Sequence, residues 1–329
     1  FSIFSFEQSI SYMELQRSTS IIISVLTIIP VYFLCKKFVS NKISIIGAGI
    51  IAFEPRLIQN SLLGIADSLY IFLVTITLVL FLDNNKKNIY FSFIIIGIGT
   101  IVRAEGIFLF FGISIVYLIR FRKNKLDLVK FIPIVIIFLL ILLPIQLYRI
   151  NIYETDGIFL RIINTASDKI QPAEITGSST GSIAIQNIIE NFPKYFLWDL
   201  IPIFIFFMPI GIYYIFKKRD ISKLTIIISS ICMIFPAIHA YSIPLQETRY
   251  FYFLYPLFCV VSVLALPVIF NRFKKRNLIL VLLMIGILVS SSIFLQFKMW
   301  DIQHETEAYK VAEFIVENTK GVNQYYPEY

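Results

Sequence analysis

The sequence predicts an all-α, polytopic integral membrane protein with about ten transmembrane helices among its 329 residues. Hydrophobic residues make up 57% of the chain and charged residues only 15%, and the mean hydropathy is +0.79. A soluble protein has about 45–50% apolar and about 25% charged residues. The apolar excess therefore has to be buried in a bilayer. The order of apolar runs and the alternation of charge between loops point to the same class.

Ten apolar runs are candidates for membrane spans, because a hydrocarbon core about 30 Å thick needs about 20 apolar residues per helix. In chain order they cover residues 18–39, 43–58, 61–82, 88–103, 105–120, 130–149, 196–217, 222–241, 250–271 and 277–297. The runs 43–58, 88–103 and 105–120 are short and interrupted by charge. Prolines inside several runs are compatible with membrane helices whose neighbours satisfy the freed backbone groups.

Basic residues concentrate in every second loop. Eighteen of the 29 lysines and arginines are Lys36, Lys37, Lys42, Lys86, Lys87, Arg120, Arg122, Lys123, Lys125, Lys130, Lys217, Lys218, Arg219, Lys223, Arg272, Lys274, Lys275 and Arg276. Only Asp83, Asp127 and Asp220 accompany them. The positive-inside rule places these loops in the cytoplasm and both ends of the chain outside it. The net charge of +8 is thereby explained by loops that face anionic lipid, and no nucleic-acid partner is expected.

This orientation predicts three regions. Residues 1–17 are the end of an external loop, and residues 18–297 are a transmembrane domain with a long external loop at 150–195. Residues 298–329, with apolar residues at helical spacing, begin an external soluble domain. Because the chain starts with Phe1 and stops in a polar segment, we expect it to be part of a longer protein and inactive alone.

Several site chemistries are excluded by composition. The three cysteines, Cys35, Cys232 and Cys259, lie inside apolar runs, which predicts buried thiols. The only histidines, His239 and His304, are far apart. The sequence therefore offers neither a Ser-His-Asp triad nor a His-rich metal site, and no metal or cofactor is predicted.

Acidic and basic residues recur where the predicted spans meet the outer membrane face. They are Glu54, Arg56, Asp67, Arg103, Glu105, Glu247 and Arg249. A charge at the centre of a membrane helix costs about 2.5–3.5 kcal/mol. Carboxylates at this face accept a proton from a hydroxyl group, and arginines bind a phosphate through two hydrogen bonds. The set predicts a substrate with an anionic head and a lipid tail. The simpler alternative is that these residues are self-neutralising pairs that anchor helix ends.

Several of these segments are similar to one known class of enzymes. The segment from Ile98 to Leu109, with Arg103, Glu105 and Gly106, resembles the R-x-E-G element of polytopic GT-C glycosyltransferases. The likeness is strongest to the protein O-mannosyltransferase and aminoarabinose-transferase branch. The sequences Pro55 to Tyr70, Glu247 to Pro256 and Glu313 to Asn318 are similar to further elements of that branch, in the same order.

The resemblance implies an enzyme, a glycosyltransferase of the hexosyl or mannosyl type in the cell membrane. It takes a sugar from a polyprenyl-phosphate lipid and transfers it to a protein, lipid or glycan acceptor on the non-cytoplasmic face. Arg103 and Arg249 are then expected to contact the donor phosphate, and Glu54, Asp67, Glu105 and Glu247 to line the polar cavity or orient the acceptor. The principal catalytic aspartate of this family lies in the first external loop, which is expected upstream of Phe1.

Two other function classes remain open on sequence grounds. A transporter or lipid flippase also carries ionisable residues within membrane helices. Against it, the charges gather at one face and no internal repeat relates two halves of the chain. A structural anchor for an external domain is the third possibility, and it predicts that neutralising Arg103, Glu105 and Arg249 has no effect.

Overall fold

The computed structural model describes residues 9–153, 180–217, 220–242, 248–271 and 275–318. Within these ranges the chain is helical, and no strand occurs. The helices are α1 (Ser9–Leu26), α2 (Ile28–Lys36), α3 (Asn41–Ala52), α4 (Pro55–Leu62), α5 (Asp67–Phe81), α6 (Lys86–Val102), α7 (Gly106–Phe121), α8 (Lys125–Val129), α9 (Phe131–Tyr153), α10 (Thr180–Asp199), α11 (Phe204–Lys217), α12 (Ile221–Ala240), a 3-10 helix (Arg249–Leu254), α13 (Tyr255–Asn271) and α14 (Arg276–Asn318). The predicted site residue Glu247 lies outside the described residues.

The all-α, multi-pass membrane class is confirmed, but the described residues contain fewer spans than the ten that the sequence predicts. Among the described residues, five helical segments are long and apolar enough to cross a membrane: Glu14–Lys36, Lys125–Ile150, Ile221–Ala240, Arg249–Asn271 and Arg276–Phe297. A sixth is obtained if the pair Ile185–Asp199 and Phe204–Lys217, bent by 103°, counts as one span.

The shortfall has a physical cause in helix length. Helices α3, α5 and α7 contain 12, 15 and 16 residues. At 1.5 Å per residue, a helix of 12 residues rises only about 18 Å, against a hydrocarbon core of about 30 Å. The predicted run 43–58 is cut at Phe53 and Glu54, since Pro55 starts a new helix, α4, at its first position. The charged residues that interrupt the apolar runs thus lie at real helix ends.

Helix α13 forms the centre of the bundle. Every residue from Tyr255 to Leu266 is buried, and α13 packs against α2, α3, α5, α11 and α14. Peripheral helices instead expose large apolar side chains, such as Leu140 on α9 and Leu282 on α14, each 57% exposed. A helix that is apolar all round and exposed on one side is suited to contact with lipid. This distribution agrees with a membrane-embedded bundle around α13.

Three of the connections that carry basic residues meet at one end of the bundle, which we call the basic end. Lys37 Nζ lies 3.4 Å from Asp83 Oδ1, and Arg120 donates to the backbone oxygens of Phe81 and Asp83, each at 3.0 Å. Lys86 Nζ lies 2.7 Å from Asp127 Oδ2. These contacts join the loops after α2, α5 and α7. The cytoplasmic location of this end remains a prediction from the positive-inside rule.

Four helices extend across the predicted limits. Helix α1 (Ser9–Leu26) crosses the limit between residues 17 and 18, and α9 (Phe131–Tyr153) ends inside the range predicted as an external loop. Helix α14 continues without a break to Asn318, beyond the predicted end of the membrane domain at residue 297. Helix α10 begins at Thr180, inside the range 150–195 for which the sequence predicts an external loop. Residues 154–179 of that loop lie outside the described residues.

Candidate functional site

Asp67 is placed by a tight turn between two short helices. Helix α4 ends at Leu62, and Gly64 adopts a φ of +68°, a left-handed conformation that a side chain disfavours. A Cβ atom at this position would also lie 3.1 Å from the backbone nitrogen of Arg17 on α1. The turn directs the chain into α5, whose first residue is Asp67. Ser20 of α1 fixes this end, because its hydroxyl donates to Ser68 Oγ at 2.9 Å.

Arg103 and Glu105 lie in the turn between α6 and α7. Arg103 ends α6 with extended backbone (φ −143°, ψ 130°), and its N–H donates to the oxygen of Gly99 at 2.9 Å. Gly106 starts α7 directly against the last turn of α6. A Cβ atom on Gly106 would lie 2.8 Å from both the backbone nitrogen and the Cα of Thr100. Only glycine allows this close approach, and the approach fixes where Arg103 emerges.

The structure brings Asp67, Arg103 and Glu105 together, and we call them the Arg103 cluster. The guanidinium of Arg103 donates from Nη2 to Glu105 Oε1 at 2.8 Å and from Nε to Glu105 Oε2 at 3.3 Å. A third hydrogen bond runs from Nη1 to Asp67 Oδ1. The side chains of Arg103 and Glu105 are 17% and 21% exposed. The cluster is thus largely enclosed, and part of its surface remains accessible.

Two buried oxygens have no hydrogen-bond partner among the described residues: Oδ2 of Asp67, within the cluster, and the hydroxyl of Tyr70 on the same helix. The two residues are three positions apart on α5, so their side chains share one face of the helix. The ring of Tyr70 packs edge-on against Phe253 of the 3-10 helix, with ring centroids 6.0 Å apart. An unpaired buried polar group is costly, and a bound hydroxyl or water would remove that cost.

A second group of charges, the Arg56 cluster, consists of Glu54, Arg56, Asp199 and Tyr255. Arg56 Nη1 lies 3.6 Å from Glu54 Oε1, and Arg56 Nε lies 3.8 Å from Asp199 Oδ1. Tyr255 donates to Asp199 Oδ1 at 2.7 Å. Glu54 and Asp199 are completely buried, and Arg56 is 3% exposed.

Arg56 is tied mainly to backbone at the bend between α10 and α11. It donates from Nη2 to the oxygen of Trp198 at 2.5 Å and from Nη1 to the oxygens of Asp199 and Ile201. Its guanidinium carbon also lies 4.7 Å from the ring centre of Phe294 on α14. Buried carbonyls at a bent helix end require donors. This arginine therefore joins α4, the α10–α11 bend and α14.

Arg249 occupies the first position of the 3-10 helix and is exposed. Its guanidinium carbon lies 5.6 Å from the ring centre of Tyr250. The 3-10 helix packs against α5 and α12. Arg249 thus belongs to the element that contacts the helix bearing Asp67, at the end of the bundle opposite the basic end.

Sequence reasoning missed Asp199 and the hydrogen-bonding role of Tyr255. Asp199 lies in the predicted span 196–217, close to its outer end, so the rule that selected Glu54 and Asp67 applied to it as well. No signal in the sequence pairs it with Arg56, 143 positions earlier. Among the described residues, no group of three or more His, Cys, Asp or Glu side chains is arranged to hold a metal ion.

Three comparisons with known proteins bear on the motifs that lie within residues 12–148. The dolichyl-phosphate-mannose-protein mannosyltransferase family matches residues 12–148, a range that contains both Arg56 and the whole Arg103 cluster. A crystal structure of the Archaeoglobus fulgidus oligosaccharyltransferase, in complex with zinc and sulfate, aligns with a TM-score of 0.49 and 18% identity over 85% of this chain. The chain spans 40% of the length of that protein. No curated protein gives a significant match. Over residues 12–148, the resemblance to GT-C glycosyltransferases that the motifs predict is confirmed by the family match.

Proposed function

We propose that the complete protein is a membrane glycosyltransferase of the hexosyl or mannosyl type. It transfers a sugar from a polyprenyl-phosphate-linked donor to an acceptor hydroxyl at the outer face of the cell membrane. The observation that carries this proposal is the Arg103 cluster, an enclosed yet accessible arginine between two carboxylates within the range matched by the mannosyltransferase family. The confirmed membrane fold supports a lipid-linked substrate.

Arg103 retains hydrogen-bonding capacity for a phosphate. A guanidinium has five N–H donors, and the contacts to Asp67 and Glu105 use three of them. The bidentate contact with Glu105 fixes the plane of the guanidinium, so the remaining donors point in a defined direction. When the sugar leaves, negative charge grows on the lipid phosphate. A fixed cation there stabilises the transition state more than the ground state.

The charge balance of the Arg103 cluster requires a second cation. One guanidinium and two ionised carboxylates carry a net charge of −1, which repels an anionic phosphate. Arg249, on the 3-10 helix that packs against α5, is the residue we assign to this role. Its exposed position allows the side chain to reach an incoming headgroup. Arg103 then orients the phosphate, and Arg249 supplies the excess positive charge.

Asp67 is suited to orient the acceptor. Its oxygen Oδ1 holds Arg103, while Oδ2 is buried without a hydrogen-bond partner in the described part of the chain. An acceptor hydroxyl that donates to Oδ2 would satisfy this atom and would sit beside the phosphate held by Arg103. The proton finally has to pass to a base, which the family resemblance assigns to an aspartate expected upstream of Phe1.

Glu54 and Glu247 complete the predicted set. Glu54 is completely buried beside Arg56, so we propose that it acts on the cavity indirectly, by holding the break between α3 and α4. Glu247 lies outside the described residues and remains a predicted cavity residue. The basic loops contact one another at the basic end, and the Arg103 cluster lies at the opposite end of the bundle. This separation supports an outer location for the active face.

The test is transfer of a labelled sugar by the complete protein in proteoliposomes. We expect Arg103→Ala and Arg249→Ala to lower the transfer rate about 10²–10³-fold, the effect of removing one donor to a developing anion. Arg103→Lys keeps the charge but cannot bridge both carboxylates, so it should also lose activity. Arg122→Ala, an exposed arginine at the basic end, is the matched control.

Membrane insertion and unfolding temperature are measured for each variant, so that loss of activity is separated from loss of structure. Undiminished transfer by both Arg103→Ala and Arg249→Ala would contradict the phosphate assignment. Accumulation of labelled solute in the vesicles without a glycosylated product would instead favour the transporter alternative.

A further inference from the structure

A large cavity lies at the basic end of the bundle, opposite the Arg103 cluster. Its volume is about 670 Å³. It is bordered by the C-terminal ends of α2 and α13 and by the N-terminal ends of α3 and α14. Four basic side chains line it: Lys36, Lys37, Lys42 and Arg276. Among the described residues, no acidic side chain lines it.

The cavity exists because closely packed helices diverge at this end. Deeper in the bundle, Cys259 Sγ of α13 lies 3.1 Å from the backbone oxygen of Gly47 on α3 and 3.7 Å from Cys35 Sγ of α2. The chain then leaves α2 at Lys36 and re-enters the bundle at Asn41, through residues 37–40, which form one wall. The space is thus bounded by helix ends and by this connecting segment.

Little of the positive charge around this cavity is neutralised. Lys37 contacts Asp83 at 3.4 Å, and Lys42 donates to the side-chain oxygen of Asn277 at 3.3 Å, which carries no charge. Within the described residues, Lys36 and Arg276 have no ion-pair partner. Both α3 and α14 also direct their N-terminal backbone N–H groups towards this end, where a helix favours anions.

The remaining wall is apolar. Pro267 and Phe270 of α13 and Leu280 of α14 line the cavity. Next to Leu280, α14 exposes Leu278, Val281 and Leu282, each more than half exposed. A ligand here would meet cations at its polar end and hydrocarbon along its side. Inorganic phosphate would use only the first of these features.

We infer that this cavity binds the phosphate headgroup of an anionic phospholipid, with the acyl chains lying along α14. Basic pockets between membrane helices on the cytoplasmic side suit such headgroups. The site is separate from the proposed donor site, since the two lie at opposite ends of the bundle. The inference does not depend on the proposed transfer reaction, and its test requires no activity.

The experiment titrates the purified complete protein in detergent with short-chain phosphatidylglycerol, phosphatidylcholine or inorganic phosphate, and counts bound molecules by native mass spectrometry. We expect the wild type to retain phosphatidylglycerol about tenfold more tightly than phosphatidylcholine. The triple variant Lys36→Gln, Lys42→Gln, Arg276→Gln should lose this preference. The control triple Lys87→Gln, Arg122→Gln, Lys123→Gln removes the same charge from exposed positions at the same end and should keep it.

The single substitution Arg276→Glu guards against misfolding of the triple variant, because Arg276 is exposed and an acid at the start of α14 suits the helix dipole. Its control is Arg122→Glu. Loss of the preference for phosphatidylglycerol in Arg276→Glu, with the preference kept in Arg122→Glu, supports the site. Equal losses in the cavity and control variants would overturn it, since they would indicate diffuse surface charge. Displacement of the lipid by an equal concentration of inorganic phosphate would overturn the lipid assignment.

Discussion

Gly106→Ala is the substitution that tests most directly how the fold places Arg103. The added Cβ atom would lie 2.6 Å from Thr100 Oγ1 and 2.8 Å from both the Cα and the backbone nitrogen of Thr100. Two of these three atoms are backbone, so no change of rotamer relieves the overlap. To reach an ordinary contact distance of 3.4 Å, the start of α7 must move away from α6 by about 0.6 Å.

A shift of this size matters because Arg103 is held on both sides of the turn. Its N–H bonds to Gly99 on α6, and its carbonyl accepts from the N–H of Gly106. Functional groups must be held within about 0.5 Å of their working geometry, and a misplacement of about 1 Å can cost about 10²-fold in rate. Overpacking of this kind also costs about 1–3 kcal/mol of stability.

The assay combines thermal unfolding in detergent, followed by circular dichroism, with sugar transfer by the complete protein. We expect Gly106→Ala to unfold at a lower temperature and to transfer sugar about 10–100-fold more slowly. Gly286→Ala is the matched control, because a Cβ atom on Gly286 meets no atom within 4 Å. Full rescue of Gly106→Ala by Thr100→Ala would refute the reasoning, since that change removes only the Oγ1 contact. Equal stability and activity of the two glycine variants would refute it as well.

Three further predictions concern stability. Arg56→Ala should destabilise the protein by about 3–5 kcal/mol, because it leaves two buried carboxylates and the α10–α11 carbonyls without their partner; chemical denaturation against exposed Arg122→Ala checks this, and equal midpoints would contradict it. Gly47→Ala places a Cβ atom 2.5 Å from Cys35 Sγ, so it should lower the unfolding temperature, and adding Cys35→Ala should restore part of the loss; a strictly additive double-mutant cycle would argue against this contact. The hydrogen bond from Asn88 and the backbone N–H of Asn84, with Lys37 nearby, lower the pKa of Asp83 below its ordinary value of 3.8. Asp83 therefore adds stability above about pH 4 that is lost as the pH falls through its folded pKa, and Asn88→Ala should reduce the difference in unfolding temperature between pH 6 and pH 3; an unchanged difference would count against the assignment.

The sequence was sufficient to predict the fold class and the charged residues Glu54, Asp67 and Arg103 at helix ends. Apolar composition and alternating basic loops reflect the free energy of transferring side chains into lipid. Each segment carries this signal by itself, whatever it packs against. The apolar runs do not predict the lengths of the individual helices reliably. The run 43–58 counts as apolar although Glu54 and Pro55 divide it into α3 and α4, and the run 196–217 counts as one span although it bends by 103°.

The complete set of ion-pair partners of Arg56 and Arg103 could not be predicted from the sequence. Each of the two charge clusters is built in the same way, from an arginine, an acid two positions away, and an acid from a distant helix: Glu54 and Asp199 for Arg56, Glu105 and Asp67 for Arg103. The local acid is visible in the sequence, whereas the distant acid is selected by helix packing alone.

The solvent exposure of the two arginine side chains then indicates a different role for each. The side chain of Arg56 is 3% exposed, and its N–H groups are directed to the carbonyls of the bend between α10 and α11, so it has little left to offer a substrate. Arg103 is 17% exposed, and its three hydrogen bonds all go to carboxylates, which leaves two donors free of backbone partners in the described contacts. In the function proposed above, the same local motif is a structural tie around Arg56 and an anion-binding site around Arg103. Exchanging the two arginines for lysine tests this division: Arg56→Lys should lower mainly the unfolding temperature, and Arg103→Lys mainly the transfer rate.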